Sequence, residues 1–511
     1  LRKKIRKKVR LRDKRVVVMG IGLHGGGVSM IKWLARQGAK VVATDKKTKE
    51  ALASSLKKLG KLVESKKVKL IVGRHRIDDF RSADLVIKNP SVPWKNVYIQ
   101  QAQKRGIPVE MDSSLFFKLS PSKKIIGVTG TKGKTTTSHI IKHILEKAGK
   151  KVVLVGVGTL TVMDRLKLID KNTHVVFELS SWRLSVLRRK KKSPRYAVVT
   201  NIFPDHLNYY RTMKDYIKDK LAIVQFQKKN DLAVLNYDDE VVREFSEETK
   251  AEISFFSVKD SYSIIPDVFL EDEMIKYRGE KEDGIICSVK DLKILGRHNI
   301  YNVMAGVALA LKLKISPKII AKAVKSFKGV KHRLELVIQR EDVLFYNDSA
   351  ATTPEAAVAG INAFLNRAEL FDIYLIAGGS SKKLDPDILV EKILQTPEIK
   401  KVVLLKGGAT EGILKSVKKR GGSEKFLKVV DSMNEAVRLL TEQIVMDQEE
   451  EKKAAELTNE SAELQFDRKK VLLLSPGAAS FGMFDNEFDR GRQFREAVKK
   501  YAGKLSGKRS R

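Results

Sequence analysis

The sequence predicts an α/β protein of three domains, each built on a mainly parallel sheet covered by helices. Three observations carry that prediction. Apolar, β-branched runs alternate with helical patterns along the whole chain, the order that places parallel strands between layers of helix. Glycine-rich turns follow two of these runs and open helices, at residues 20–25 and 130–133. The chain of 511 residues is also too long for one hydrophobic core,.

The first domain is expected over residues 1–121. It opens with the run Arg15-Val16-Val17-Val18-Met19, then Gly20-Ile21-Gly22-Leu23-His24-Gly25, a helical pattern (Val28, Ile31, Leu34) and a strand ending at Asp45. A G-x-G-x-x-G turn with an acid twenty positions later is a Rossmann-like βαβ unit,. Read alone it suits any diphosphate nucleotide, a nicotinamide cofactor included. Strands at residues 70–72 and 85–87 continue the parallel pattern, and Ser120-Pro121-Ser122 ends it.

The second domain, residues 122–331, begins with Lys124-Ile125-Ile126 and the turn Gly127-Val128-Thr129-Gly130-Thr131-Lys132-Gly133-Lys134-Thr135-Thr136-Thr137. Strand, glycine-rich turn and helix form a phosphate cradle, because backbone N–H groups and the helix N-terminus converge on anionic oxygens. Lys134 would reach the outer phosphates of a nucleotide triphosphate, and Thr135 or Thr136 would offer a hydroxyl to Mg²⁺. The spacing is a variant of the P-loop, since Val128 stands where the first glycine is usual. Strands are expected at residues 152–155, 175–177, 197–200 and 232–235. A more β-like stretch over residues 253–294 precedes a helix over 299–313. The third domain, residues 332–511, is again Rossmann-like, with strands at 343–346, 373–377, 402–405, 429–430 and 471–474. Residues 446–470 are rich in Glu, Lys and Ala and read as a helix extension or a surface loop,.

Composition excludes several classes. No run of about eighteen apolar residues exists, so no membrane span is expected. Residues 1–14 are basic without an apolar core and do not read as a secretory signal. One cysteine, Cys287, rules out an internal disulfide and fits a reducing cytoplasm. The net charge of +39 invites a nucleic-acid reading through the basic ends,. The lysines are spread over every helix face, however, and no stacking module or zinc-finger spacing appears. A solvated basic surface without a nucleic-acid partner is the expectation.

Four further constellations fall at strand ends, where α/β proteins carry function. They are Glu178-Leu179-Ser180-Ser181, Asn201 through Asp205-His206, Gly296-Arg297-His298-Asn299 with Asn302, and Asn347-Asp348-Ser349-Ala350-Ala351-Thr352. Glu178 ends an apolar strand, where a carboxylate needs a cation. Asp205 and His206 suit a metal or a base. Asn299 and Asn302 lie one helical turn apart, with helix capping by Asn299 as the alternative.

Together these motifs resemble the Mur ligase family, in its three-domain order and over nearly the whole chain. Within it, Glu178-Leu179-Ser180-Ser181, Asn347-Asp348-Ser349 and Leu474-Ser475-Pro476-Gly477-Ala478-Ala479-Ser480-Phe481 are similar to the D-glutamate-adding members. The resemblance implies a cytoplasmic, monomeric ATP-dependent ligase. ATP would phosphorylate the carboxylate of UDP-N-acetylmuramoyl-L-alanine, and the amine of D-glutamate would then displace the phosphate. It also implies the residue roles. Gly130, Thr131, Lys132, Gly133, Lys134, Thr135 and Thr136 would hold ATP, with Asn299 and Asn302 beside the adenine, Asp348 at the ribose and Arg333 at the transferred phosphate. Two Mg²⁺ ions would be held by Thr135 and Glu178 and by His206 and Lys220. Lys220 would carry a carbamate, although read unaided it is one exposed lysine among many. Gly22, Leu23, His24, Gly25 and Asp45 would bind the uridine diphosphate, with Ser180 on the acceptor. Thr352, Lys382, Ser480 and Phe481 would hold D-glutamate. Departures from the family pattern are Val157, Arg183, Ala350 and the order Glu487-Phe488, the last expected to bring an aromatic near the D-glutamate pocket.

Overall fold

The computed structural model describes residues 10–23, 25–158, 161–205, 209–259, 266–279, 283–365, 370–382, 384–458 and 468–505. The basic ends, His24 and His206 lie outside these residues. Three sheets organise the chain. The first joins β1 (Arg15–Met19), β2 (Lys40–Asp45), β3 (Val68–Val72), β4 (Leu85–Lys88) and β5 (Val109–Glu110) in the order β3-β2-β1-β4-β5. All its pairings are parallel. Val16, Val17, Val18 and Met19 are all buried, so both faces are covered and the run is apolar without alternation.

The second sheet holds β6 (Ile125–Thr129), β7 (Val152–Val155), β8 (His174–Glu178), β9 (Tyr196–Val199), β10 (Leu232–Asn236), β11 (Glu252–Ser257), β12 (Val268–Glu271), β13 (Met274–Tyr277) and β14 (Gly284–Ser288). Their order is β14-β13-β12-β11-β10-β9-β6-β8-β7. The β-like stretch becomes β11 to β14, and here the mainly parallel sheet gains antiparallel strands. β12, β13 and β14 pair antiparallel, because connections of only a few residues cannot carry the crossover a parallel pair needs.

The third sheet contains β15 (Glu335–Arg340), β16 (Val343–Asn347), β17 (Phe371–Gly378), β18 (Ile399–Leu405), β19 (Phe426–Val430) and β20 (Lys469–Leu474), ordered β15-β16-β20-β17-β18-β19. It is parallel except for β15 against β16. The charged stretch after Met446 continues a helix, Met433–Thr458, whose Ala436, Val437, Leu440 and Ile444 are buried on the sheet.

The chain divides into two compact units. One is Leu1–Asp291 with Ile300–Ser326, and the other is Leu292–Asn299 with Phe327–Arg511. The first two sheets belong to the first unit and the third sheet to the second. In each sheet the chain crosses over a strand at a switch point: β3 to β4 past β2 and β1, β8 to β9 past β6, and β16 to β17 past β20. Crevices open at the carboxyl ends of such strands, and the candidate residues gather there.

Candidate functional site

At the first switch point the glycine turn follows β1. Asp45 ends β2 and folds back on this turn. Its Oδ2 accepts the N–H groups of Ile21 at 2.9 Å and Gly22 at 3.1 Å, and its Oδ1 accepts that of Lys47 at 3.0 Å. Leu23 is exposed, and Gly25 has φ +81° at the start of the helix Gly26–Arg36. Lys88, which no sequence motif marked, is buried at the end of β4. Its ammonium donates to the carbonyls of Asn89, Pro90 and Val92 at 3.3, 3.4 and 2.8 Å and lies over the Trp94 ring. Burial pulls this amine down to about 7.

The second switch point carries the phosphate loop. Two glycines are required by space as well as by backbone. Gly130 has φ +154° and a Cβ there would lie 1.9 Å from Thr200 Oγ1; Gly133 has φ +84° and a Cβ would lie 2.3 Å from Asn302 Oδ1. Gly133 caps the helix Lys134–Lys147. Lys134 Nζ donates to the carbonyls of Gly130 and Thr131, both at 2.8 Å. Thr135 Oγ1 donates to Glu178 Oε2 at 2.8 Å, so the hydroxyl and the strand-end carboxylate meet directly beside that lysine. Lys132 takes its place through its backbone N–H, bonded to Asn201 Oδ1 at 2.8 Å, and its ammonium lies 4.0 Å from Asp205. Thr131 Oγ1 is 3.0 Å from the Tyr216 hydroxyl. Thr136 follows in the first turn of the helix.

Lys220 corrects the expectation of an exposed side chain. It is 1% exposed, and its ammonium nitrogen lies 2.8 Å from the Gly130 carbonyl and 3.4 Å from Thr129 Oγ1. Desolvation, then the neighbouring Lys134 charge, push its pKa well below the usual lysine range, against the opposing pull of Asp205 and Glu178. The helix Met213–Leu221 turns this residue into the protein while Lys218 stays on another face. The lowered pKa shifts this side chain toward the neutral amine. Thr135 and Glu178 offer hard oxygen donors of the kind Mg²⁺ takes together with water and phosphate oxygens. Among the described residues no three His, Cys, Asp or Glu side chains form a ready cage.

Ser180 caps the helix Ser181–Arg189, accepting from the Arg183 N–H. Arg183 is anchored by Asp112 at 3.0 Å and the Gly156 carbonyl at 2.9 Å, with its guanidinium over the Phe177 ring. Val157 is buried beside that carbonyl. Asn302 Oδ1 accepts from Thr137 Oγ1 at 3.1 Å. The capping alternative for Asn299 does not hold. The helix begins at Arg297, and the Asn299 amide instead donates to the Leu295 carbonyl at 2.6 Å.

In the second unit the third switch point gathers Asp348, Arg333, Thr352, Lys382 and Ser480. Asp348 is buried and accepts from Ser475 Oγ at 2.9 Å and the Leu334 N–H at 3.2 Å. Burial raises its carboxyl to about 7, against the pull of those hydrogen bonds and of Arg333 and Arg490. Arg333 is exposed. Lys382 Nζ donates to Thr352 Oγ1 at 2.8 Å, and both line a small cleft with Ser381, Gly408 and Ala478. Ser480 is buried and Phe481 is 53% exposed. Phe488 is the aromatic that the Glu487-Phe488 order is expected to bring near the D-glutamate pocket. It is packed edge-on to His332, with centroids 5.4 Å apart, because the helix Glu487–Tyr501 begins there and Asn486 caps it. Ala350 leaves its place to backbone, its N–H donating to the His332 carbonyl. Arg490 was hidden in a basic helical pattern. It is fully buried and ties the carbonyls of Ala478, Ala479 and Ser349 together.

A variant P-loop on one α/β sheet, with further α/β sheets before and after it, defines a three-sheet nucleotide-binding fold. Residues 14–110 match the Mur ligase MurD-like N-terminal domain, and residues 128–310 match the Mur ligase middle domain. A UDP-N-acetylmuramoylalanine--D-glutamate ligase of Roseiflexus sp. (strain RS-1) is 35% identical over 501 residues, 96% of this chain and 100% of the relative. Its counterpart in Acetivibrio thermocellus is 32% identical, covering 96% and 97%. In fold the chain is similar to the UDP-N-acetylmuramate-alanine ligase of Thermotoga maritima, with TM-score 0.57 at 20% identity over 96% of this chain and all of that one. A pseudomurein peptide ligase type C from Methanothermus fervidus gives TM-score 0.52 at 18% identity, covering 96% and 100%. This chain belongs to the Mur ligase family. Among the described residues no helix is long and apolar enough to cross a membrane.

Proposed function

We propose that this chain joins D-glutamate to UDP-N-acetylmuramoyl-L-alanine with ATP as phosphoryl donor, in the cytoplasm. The observation that carries the proposal is the phosphate loop itself: Lys134 at the helix start, with Thr135 and Glu178 bonded at 2.8 Å behind it. The full-length relatives with that ligase name support the choice of substrates. In the first step an acceptor carboxylate oxygen bonds to the γ-phosphorus and ADP leaves, giving an acyl phosphate. In the second the amine of D-glutamate bonds to the acyl carbon, inorganic phosphate leaves, and the nitrogen loses a proton.

Several anions must meet, so charge stabilisation and positioning do most of the work. Lys134 would exchange the Gly130 and Thr131 carbonyls for phosphate oxygens. Thr135 and Glu178 would hold one Mg²⁺, and His206 with a carbamate on Lys220 the other. Bound Mg²⁺ neutralises charge developing on the phosphoryl oxygens. Asn299, Asn302 and Asp348 are proposed for the nucleoside, and Arg333 for the transferred phosphoryl group. Gly22, Leu23, His24, Gly25 and Asp45 are proposed for the uridine diphosphate and Ser180 for the acceptor. In this reading Asp45 acts through the loop, since its oxygens already hold three N–H groups of the turn and of Lys47. Thr352, Lys382, Ser480 and Phe481 would bind D-glutamate.

The test is phosphate release from ATP and Mg²⁺ with UDP-N-acetylmuramoyl-L-alanine and a panel of amino acids. Release that needs both the acceptor and D-glutamate is expected. Release with a different amino acid would move the specificity, and no acceptor-dependent release would refute the proposal.

A further inference from the structure

We infer that Glu335 is a positioning residue for Arg333. The inference rests on the reading of Arg333 as the contact to the transferred phosphoryl group. Arg333 stands between two residues in left-handed backbone, His332 at φ +67° and Leu334 at φ +42°. Residues with a Cβ rarely adopt that region, and they persist there only where the surroundings over-determine them.

Two carboxylates do so here. Glu335 Oε2 accepts the His332 N–H at 2.8 Å, and Asp348 Oδ1 accepts the Leu334 N–H at 3.2 Å. The Arg333 N–H itself closes on the Val330 carbonyl at 3.1 Å. The turn that presents Arg333 is therefore pinned on both sides of it. Glu335 is in turn held by Asn347 Nδ2 at 3.1 Å, from the end of β16, and by Arg495 Nη1 at 3.2 and 3.4 Å. Its partners are all donors, and its side chain is only 16% exposed. A carboxylate so engaged acts on phosphate chemistry through the turn and does not touch the nucleotide. Asn347 precedes Asp348, so one carboxylate links the strand end that carries Asp348 to the turn that carries Arg333.

The test is a double-mutant cycle on the full chain, read as kcat and KM with ATP, UDP-N-acetylmuramoyl-L-alanine and D-glutamate. Glu335→Ala is expected to lower kcat about ten- to a hundredfold, with KM for D-glutamate changed less than about twofold. In an Arg333→Ala background the same change should alter kcat by less than about twofold. An additive loss, or a loss confined to KM for D-glutamate, would overturn the inference. Arg333→Ala with undiminished kcat would instead overturn the reading of Arg333. If Glu335→Ala does not fold, Glu335→Gln decides by the same criterion. Its amide oxygen can keep the His332 N–H while the Arg495 anchor is lost.

Discussion

Replacing Asp348 with Asn should make the protein more stable above neutral pH. The buried carboxyl is held protonated up to about 7, against 3.8 for an ordinary aspartate. Within that window the folded chain binds a proton that the unfolded chain has released. Stability from this group is therefore full below about pH 4 and falls as pH rises toward 7, by about 1.4 kcal/mol per pH unit. From pH 5 to pH 8 the loss is about 2–3 kcal/mol. Asn fits the same space: its oxygen can accept the Leu334 N–H and its amide can donate to Ser475 Oγ, the two partners Asp348 has now. The variant has no proton to lose. Urea midpoints of both proteins, without nucleotide, at pH 5 and pH 8 measure the effect. The wild type should fall relative to the variant by that amount. Parallel pH dependences would refute the reasoning, because they would mean that Asp348 is already ionised at pH 5.

Three other outcomes are expected. Lys220→Ala should lose activity that formate or acetate partly restores, since a small carboxylate can enter the space of a carbamate; loss without rescue, or no loss at all, would remove Lys220 from the site. Gly133→Ala should weaken binding of an ATP analogue at least about tenfold by calorimetry, because the new methyl meets Asn302 Oδ1 on strained backbone,. Lys382→Ala should raise KM for D-glutamate about tenfold or more while leaving KM for ATP within about twofold, in keeping with a residue that binds one substrate; steady-state titration of each substrate decides.

Much of the fold was readable because parallel strands buried on both faces are apolar without interruption. Arg15–Met19 and Lys40–Asp45 are observed with the bounds their residues suggest. Edge elements were harder to read. β5 is two residues long, and β15 carries Glu335, Gln339 and Arg340 on a partly exposed edge. At the candidate site, motif and spacing located the phosphate loop, but burial was not visible. Lys218 and Lys220 look alike in Tyr216-Ile217-Lys218-Asp219-Lys220, and only packing distinguishes the inward one. Arg490 was hidden for the same reason, and Glu335 because its role depends on donors from residues 332, 347 and 495. For Phe488 the order of residues could suggest a neighbourhood, but its packing on the His332 ring at a helix start was not visible in it.

The Gly130 carbonyl is shared by two amines, Lys134 Nζ and Lys220 Nζ, each at 2.8 Å. Two cations cannot be equally at ease on one oxygen, so the state of each depends on where the other is. Drawing Lys134 away to an anion relieves the repulsion on Lys220, and converting Lys220 to an anion strengthens the field that holds Lys134. Equilibrium linkage makes this reciprocal: by whatever factor nucleotide shifts the uptake of carbon dioxide at Lys220, carbon dioxide shifts nucleotide affinity by the same factor. If Lys220 carries the carbamate proposed for it, the loop would join phosphate recognition to dissolved carbon dioxide through one backbone oxygen.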